Sequence, residues 1–330
     1  MDRVKILALI DVRRSRGLEI GALVRPIVTR DEGTIEYIDR TSTEDLRRWY
    51  SGNDQVDVSK LVEVDHVWGP ETLFDCVGRQ RTYDYVVASH VIEHVPDLFG
   101  WLAEIASVLV DGGIASFVVP DKRYTFDLLR RTSSESEMVD AFVKGLRRPD
   151  PRQIYDHFSG FRDVDAEEVR SCRLIPSALP PRHQPLEVLD LCRRALAKEE
   201  YIDTHCWVFT PRSFVEALDL GSRLGLLSFE IAAMFPTPAL SHEFFVSLRR
   251  IPASATIEDQ RAAFLASRRQ LDLPGEECEL RDFSDLERRA KEAESALHAL
   301  HNSRSWRMTA PLRRAATAWR NFAGRLRNDA

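Results

Sequence analysis

The stretch YDYVVASHVIEHVPDLFGWLAEIASVLVDGGIASFVVPDKRYTFD, residues 83–127, changes its periodicity twice, and that change decides the fold. Tyr83–Ser89 is an apolar run rich in β-formers and reads as a buried strand. Pro96 suits the first turn of a helix, and Leu98, Leu102, Ile105, Ala106 and Leu109 then recur at helical spacing. Asp111-Gly112-Gly113 is expected to end that helix, and residues 114–119 form a second apolar strand closed by Pro120. A strand, a helix and a strand of these lengths predict a right-handed βαβ unit with parallel strands.

The same alternation extends upstream. In GLEIGALVRPI (residues 17–27) an apolar run breaks at Gly21, so residues 17–20 read as a first strand. TIEYID, residues 34–39, alternates and ends in an acid; LVEVDHV, residues 61–67, alternates again. A short helix is expected within residues 4–14, a second after the Thr41-Ser42-Thr43 caps through Leu46 and Trp49, and a third within residues 70–77. Pro26 and Gly33 make a full helix between the first two strands doubtful, so the first crossover is expected to be a loop or a single turn.

Downstream, residues 124–200 mix helical pieces with RRPDPRQ and IPSALPPRHQP and read as an insertion over the sheet. Order returns at residues 201–209. A Thr-Pro-Arg-Ser start then leads into a helix over residues 214–224, and LLSFEIAAMF and EFFVSLRRI suggest a final antiparallel pair. The expected class is therefore α/β: a Rossmann-like, doubly wound, mostly parallel sheet with an antiparallel final strand. Its domain spans residues 1–250, with 126–200 as insertion or substrate cap, followed by a helical, basic extension over 251–330. In that extension a helix is expected over residues 256–270, capped by Ser254. Phe283, Leu286, Ala290, Ala293, Leu297 and Leu300 make a short coiled-coil-like seam, and an arginine- and tryptophan-rich end follows.

The chain has 330 residues, 44% of them hydrophobic, and a net charge of -6. That length is ample for a large core, and the acidic balance weighs against a nucleic-acid partner. The five cysteines form no CxxC pair, which argues against a zinc site and against a disulfide framework; no metal is expected. The N-terminal apolar run is too short for a signal peptide, and a cytoplasmic protein is expected.

Open α/β sheets bind ligands at the carboxyl ends of their strands. The candidate strand ends here carry Glu19-Ile20-Gly21, Asp39, Asp65 and Ser89-His90. An acid after the second strand suits a ribose diol, because a carboxylate accepts from both hydroxyls; alternatively Asp39 merely caps the turn after it. His90, Glu93 and His94 sit in the turn after the fourth strand. Histidine is the natural base near neutral pH; alternatively Glu93 pairs with an arginine and one of the histidines only hydrogen-bonds a loop.

The 83–127 stretch resembles class I S-adenosylmethionine-dependent methyltransferases, in particular the small-molecule branch with a methyltransferase domain of type 11. GLEIGALVRPI, TIEYID and THCWVFTPRSF fall where that family would place them. LEIGALVRP, ASHVIEHVPD, PDKRYTFD and SRSWRMTAPLRR further resemble a group associated with bacterial surface-polysaccharide synthesis. The resemblance covers about residues 15–250 and the tail. It implies S-adenosylmethionine as cofactor and a hydroxyl or amino acceptor on a small molecule or glycan precursor. It places Glu19 and Gly21 in the cofactor loop, Asp39 on the ribose, Asp65 and Trp68 near the adenine, and Ser89 and His90 beside the reactive methyl. His94, His90 and Glu93 become the catalytic candidates, and Asp121, Arg123 and His205 the substrate contacts. The expected acid near Gly69 is absent.

Two other readings stand beside this one. A non-catalytic member of the fold, acting as partner or scaffold in a glycan-assembly complex, would account for the sparse glycines and the long tail. A nicotinamide-dependent oxidoreductase would want a fuller GxGxxG ahead of a helix. The tail reads first as a dimer or partner-protein helix and second as a peripheral membrane helix, at the inner face of the membrane, with Trp306, Leu312, Trp319 and Phe322 toward lipid; Pro311 interrupts either.

Overall fold

A computed structural model describes residues 2–53, 56–78, 82–164, 179–198, 200–238 and 241–273, with single positions 288, 291, 292 and 295. The chain divides into two compact units, Met1–Pro274 and Gly275–Ala330. In the second unit the four described positions are helical, and Arg288 pairs with Glu292 at 2.7 Å. The heptad seam and the arginine- and tryptophan-rich end lie outside the described residues.

The first unit is built on seven strands: β1 (Arg16–Ile20), β2 (Thr34–Asp39), β3 (His66–Val67), β4 (Tyr83–Ser89), β5 (Leu109–Pro120), β6 (Phe229–Phe235) and β7 (Glu243–Arg250). Their order is β3-β2-β1-β4-β5-β7-β6. The first five run parallel, and β7 lies antiparallel between β5 and β6. The β6–β7 link is too short for a crossover, so those two strands must pair as a hairpin. The expected class holds.

Nine helices surround the sheet among the described residues: α1 (Arg3–Ile6), α2 (Thr43–Tyr50), α3 (Leu73–Val77), α4 (Leu98–Val108), α5 (Glu135–Lys144), α6 (Pro151–Gly160), α7 (Pro185–Lys198), α8 (Pro211–Arg223) and α9 (Ile257–Arg268). The starts follow the capping chemistry: Ser42, Thr72, Asp97 and Thr210 each accept a backbone N–H of the first turn. The helix near residue 260 is capped by Thr256 rather than Ser254. Two further expectations shift. The third strand contracts from residues 61–67 to His66–Val67, because Val62 and Asp65 bond individually to Leu23 and Tyr37. Asp111-Gly112-Gly113 does not end α4: the helix stops at Val108, and Leu109 already pairs with Tyr83 in the sheet. Residues 201–209 form no strand; Phe209 makes an isolated bridge to Asp121, just past β5, and Trp207 and Phe209 pack into the core.

The two faces of the sheet are covered differently. One packs against α3, α4, α5, α8 and α9, with Phe99, Leu102, Phe117, Phe214 and Phe264 in a continuous core. The other has no long helix among the described residues: α1 and the loop through Ile27 and Val28 close it over Tyr37, Tyr85 and Val87. No helix forms between β1 and β2, as expected. Fully burying each of Ile27 and Val28 is worth roughly 1.5–3 kcal/mol, so the loop does the covering work of a helix.

Candidate active site

β1 has β2 on one side and β4 on the other, so the strand order reverses at its carboxyl end. A cavity of about 640 Å³ opens there, lined among others by Gly21, Asp39, Trp68, His90, His94 and Tyr201. Sites for cofactor-sized molecules run to roughly 300–1,000 Å³.

The period of two along β1 sends Leu18 and Ile20 into the helical core and turns Glu19 toward the opposite face. Glu19 is 1% exposed, and it accepts the N–H of Ile27 at 2.7 Å and of Val28 at 3.1 Å. It anchors the covering loop rather than lining the cavity. Gly21 then turns the chain with φ +70° while its N–H holds Ile38 O at 2.9 Å. A Cβ at Gly21 would sit 2.9 Å from Val91 Cγ2. Asp39, at the end of β2, faces the cavity; burial raises its carboxyl pKa although the Arg40 N–H opposes it. Trp68 is held by its backbone N–H on Asp39 O at 2.8 Å and its indole N–H on Glu71 O at 3.0 Å. Arg40 stacks over Trp49 and Tyr201 at the rim, 4.5 and 3.6 Å from the ring centres.

The turn after β4 carries the titratable groups. His90 occupies the left-handed region at φ 55°, which costs a non-glycine residue about 1 kcal/mol or more. Its Nε2 meets Glu243 at 2.8 Å and its Nδ1 lies 3.5 Å from Glu93. Burial works against its charge, but the two carboxylates prevail and push its pKa up to about 9. The shift favours the charged form of His90 at neutral pH. His94 points Nδ1 at Asp203 (3.0 Å) and Nε2 toward Glu93 (3.9 Å). His205 packs edge-on against His94, ring centres 4.7 Å apart, and its Nδ1 is bonded to Asp127 at 2.6 Å. Asp127 in turn holds Arg130 at 2.7 Å.

A family model described as a methyltransferase domain matches residues 6–220. The chain belongs to the methyltransferase domain family. It is similar in structure to an S-adenosylmethionine-dependent methyltransferase of Mesorhizobium loti, at 15% identity and TM-score 0.36, over 74% of this chain and 95% of that one. A Methanosarcina mazei protein described likewise gives 14% identity and TM-score 0.37, over 75% of this chain and 97% of that one. The CurJ carbon methyltransferase gives 14% identity and TM-score 0.33, over 74% of this chain; the match spans 50% of CurJ. No curated protein matches the chain.

Of the residues expected at the site, the methyltransferase brings Gly21, Asp39, Trp68, His90 and His94 around one cavity. The others lie off its lining. Asp65 pairs with Arg30 at 2.7 Å and accepts the Tyr37 N–H, and Ser89 closes β4 in register with Val118. Asp121 is bound by Arg123 and by the Thr237 hydroxyl at 2.6 Å, so this pair braces the turn after β5. Glu93 and His205 stand behind His94. Sequence reasoning missed Asp203, Asp127 and Glu243. The first two carried a weak signal, standing in YIDTHCW and PDKRYTFD beside residues already singled out; Glu243 reaches His90 only through the antiparallel insertion of β7.

Glu19 yields a pH prediction. Burial pushes its carboxyl from 4.5 to about 7 against the two N–H bonds. Between those pH values the folded methyltransferase keeps a proton that the unfolded chain has released. The group's contribution to stability is thus fullest below pH 4.5 and declines as pH rises to 7. Subtracting the melting curves of Glu19→Gln from wild type across this window should reveal that decline. Parallel pH dependence in the two proteins would refute it.

Proposed function

We propose that this methyltransferase moves a methyl group from S-adenosylmethionine to a hydroxyl or amino group of a small molecule, specifically a sugar or glycan precursor. The observation that carries the reading is the cavity at the strand-order switch, in which a side-chain-free Gly21 and the Asp39 carboxylate face the same space. The residues fit the cofactor. Gly21 allows backbone approach where any Cβ would intrude, Asp39 offers oxygens to a ribose diol, and Trp68 presents an aromatic face for adenine. The cofactor supplies an electrophilic methyl on a sulfonium. The acceptor's lone pair forms the new bond to that carbon, and the carbon–sulfur pair returns to sulfur. The protein's part is then to hold both partners in line, exclude water and receive the acceptor's proton. His94, which shares the cavity with Tyr201 and Asp203, marks the acceptor end. The glycan assignment is supported by the likeness of ASHVIEHVPD, PDKRYTFD and the terminal SRSWRMTAPLRR to the polysaccharide-associated group.

Calorimetry with S-adenosylhomocysteine, the demethylated product, is expected to show binding in the micromolar range. Asp39→Ala should weaken it about 10- to 100-fold, the worth of hydrogen bonds to a charged group. Failure of wild type to bind either form of the cofactor would end the proposal.

A further inference from the structure

Glu93 is the least explained charge in the molecule. It is 1% exposed, and neither carboxylate oxygen finds a hydrogen-bond partner among the described residues. Its nearest cationic neighbour, His90, stands 3.5 Å away and is shared with Glu243, so this buried carboxylate has charge nearby but no close hydrogen bond, a costly arrangement. Besides His90, two further imidazoles stand beside Glu93 in the manner of metal ligands. His94 has one ring nitrogen turned to Asp203 and the other toward Glu93. His205 has Nδ1 committed to Asp127, which leaves Nε2 as its ligating nitrogen. Metal-bound histidines characteristically give their second N–H to a carboxylate, which sets the tautomer and raises basicity. Here His205 has such a hydrogen-bonded carboxylate, and Asp203, from a different segment, stands 3.0 Å from His94 Nδ1.

We propose that Glu93, His94 and His205 form a binding site for a divalent transition-metal ion of the zinc, cobalt or manganese class, beside the cavity. One ligand atom from each residue lies within 4.8 Å of the others. Donors about 2.1 Å from a tetrahedral ion stand roughly 3.4 Å apart, so binding draws the three together by about 1 Å. Backbone bonds from Cys206 and Trp207 to Glu93 O, at 2.6 and 3.2 Å, fasten the two ligand-bearing segments to each other. The absent CxxC pairs exclude a thiolate site, not this one. A second grouping, Asp127 with His157 and His205, competes poorly, because Asp127 is already engaged by Arg130 and His205. Of the three residues only His94 lines the cavity, so a coordination position on its side would face the acceptor end. In this role, which rests on the methyl-transfer reading, the ion binds the acceptor's hydroxyl oxygen and eases loss of its proton to water. The oxygen's lone pair then takes the methyl carbon while the carbon–sulfur pair stays with sulfur. His94 thus acts on the acceptor through the ion rather than as a free base.

The test uses the full chain, stripped with chelator and titrated with Zn²⁺ alone and with Co²⁺ alone. One ion per chain at micromolar affinity or tighter is expected, with a visible cobalt spectrum showing imidazole and carboxylate ligation. Glu93→Gln should weaken binding at least 10-fold. Asp203→Asn, at a side chain that is 70% exposed, should weaken it about 10- to 100-fold. Binding of S-adenosylhomocysteine is measured in the same samples and should survive both substitutions. No stoichiometric ion in wild type, or metal affinity unchanged in both variants, overturns the site. Loss of cofactor binding in wild type with the ion retained would instead overturn the methyl-transfer reading alone.

Discussion

Gly21→Val is expected to weaken S-adenosylhomocysteine binding at least about 100-fold, or about 2.7 kcal/mol, while the chain remains folded. Two effects add. A β-branched residue at φ +70° is strained by about 1–3 kcal/mol, and its Cβ starts 2.9 Å from Val91 Cγ2. The strain is relieved by moving the loop away from β2, which opens the Gly21 N–H bond to Ile38 O and displaces the backbone that the cofactor must approach. Calorimetry on wild type and variant, with circular dichroism confirming the fold, reads the difference. Wild-type affinity in the variant would remove Gly21 from the cofactor contact. The substitution tests one backbone position, so it separates the cofactor claim from any claim about the acceptor.

The second large effect is on stability. Asp127→Ala should cost about 3–5 kcal/mol, which for a domain of this size lowers the melting temperature by on the order of 10 °C. The Arg130 guanidinium is 1% exposed and is held by Asp127, by the carbonyl of His205 and by Asp156, whose side chain is 49% exposed. Removing Asp127 leaves that buried cation with a half-solvated carboxylate and one carbonyl, and releases His205 Nδ1. A double variant, Asp127→Ala with Arg130→Met, should recover part of the loss, because no buried charge is then left without its partner. If the double variant is less stable than Asp127→Ala alone, the cost lies in packing and not in the unpaired charge. Thermal unfolding of the three proteins decides between these outcomes.

The strands and helices with strong periodicity are legible in the order of the amino acids. Tyr83–Ser89 and Thr34–Asp39 occupy the predicted residues, because alternating burial and β-branched content are local properties. The helix-free first crossover is legible too, since proline and glycine act on the backbone where they stand. Ends of elements are less so. The helical spacing through Leu109 gives no sign that this residue leaves α4 to pair with Tyr83. The third strand shrinks to two residues because its pairing depends on β2, not on its own alternation.

At the site the division is the same. Gly21, Asp39 and His94 can be named from the sequence because each stands at or just beyond the end of a periodic run, where an open α/β sheet gathers its ligand-binding groups. The charge states and partnerships cannot. Glu19 looks like a cofactor-loop acid in the sequence, but one step of the pleat turns it to the far face to hold Ile27 and Val28. His90 looks like a base, yet Glu243, 153 residues away, joins Glu93 in raising its pKa. Periodicity and backbone chemistry are local, so the α/β class, the loop crossover and the strand ends that meet at one cavity are written in the amino-acid order. Which histidine lines the cavity, and which carboxylates stand against each, is settled only on folding. Both depend on desolvation and on ion pairs between segments that lie far apart along the chain.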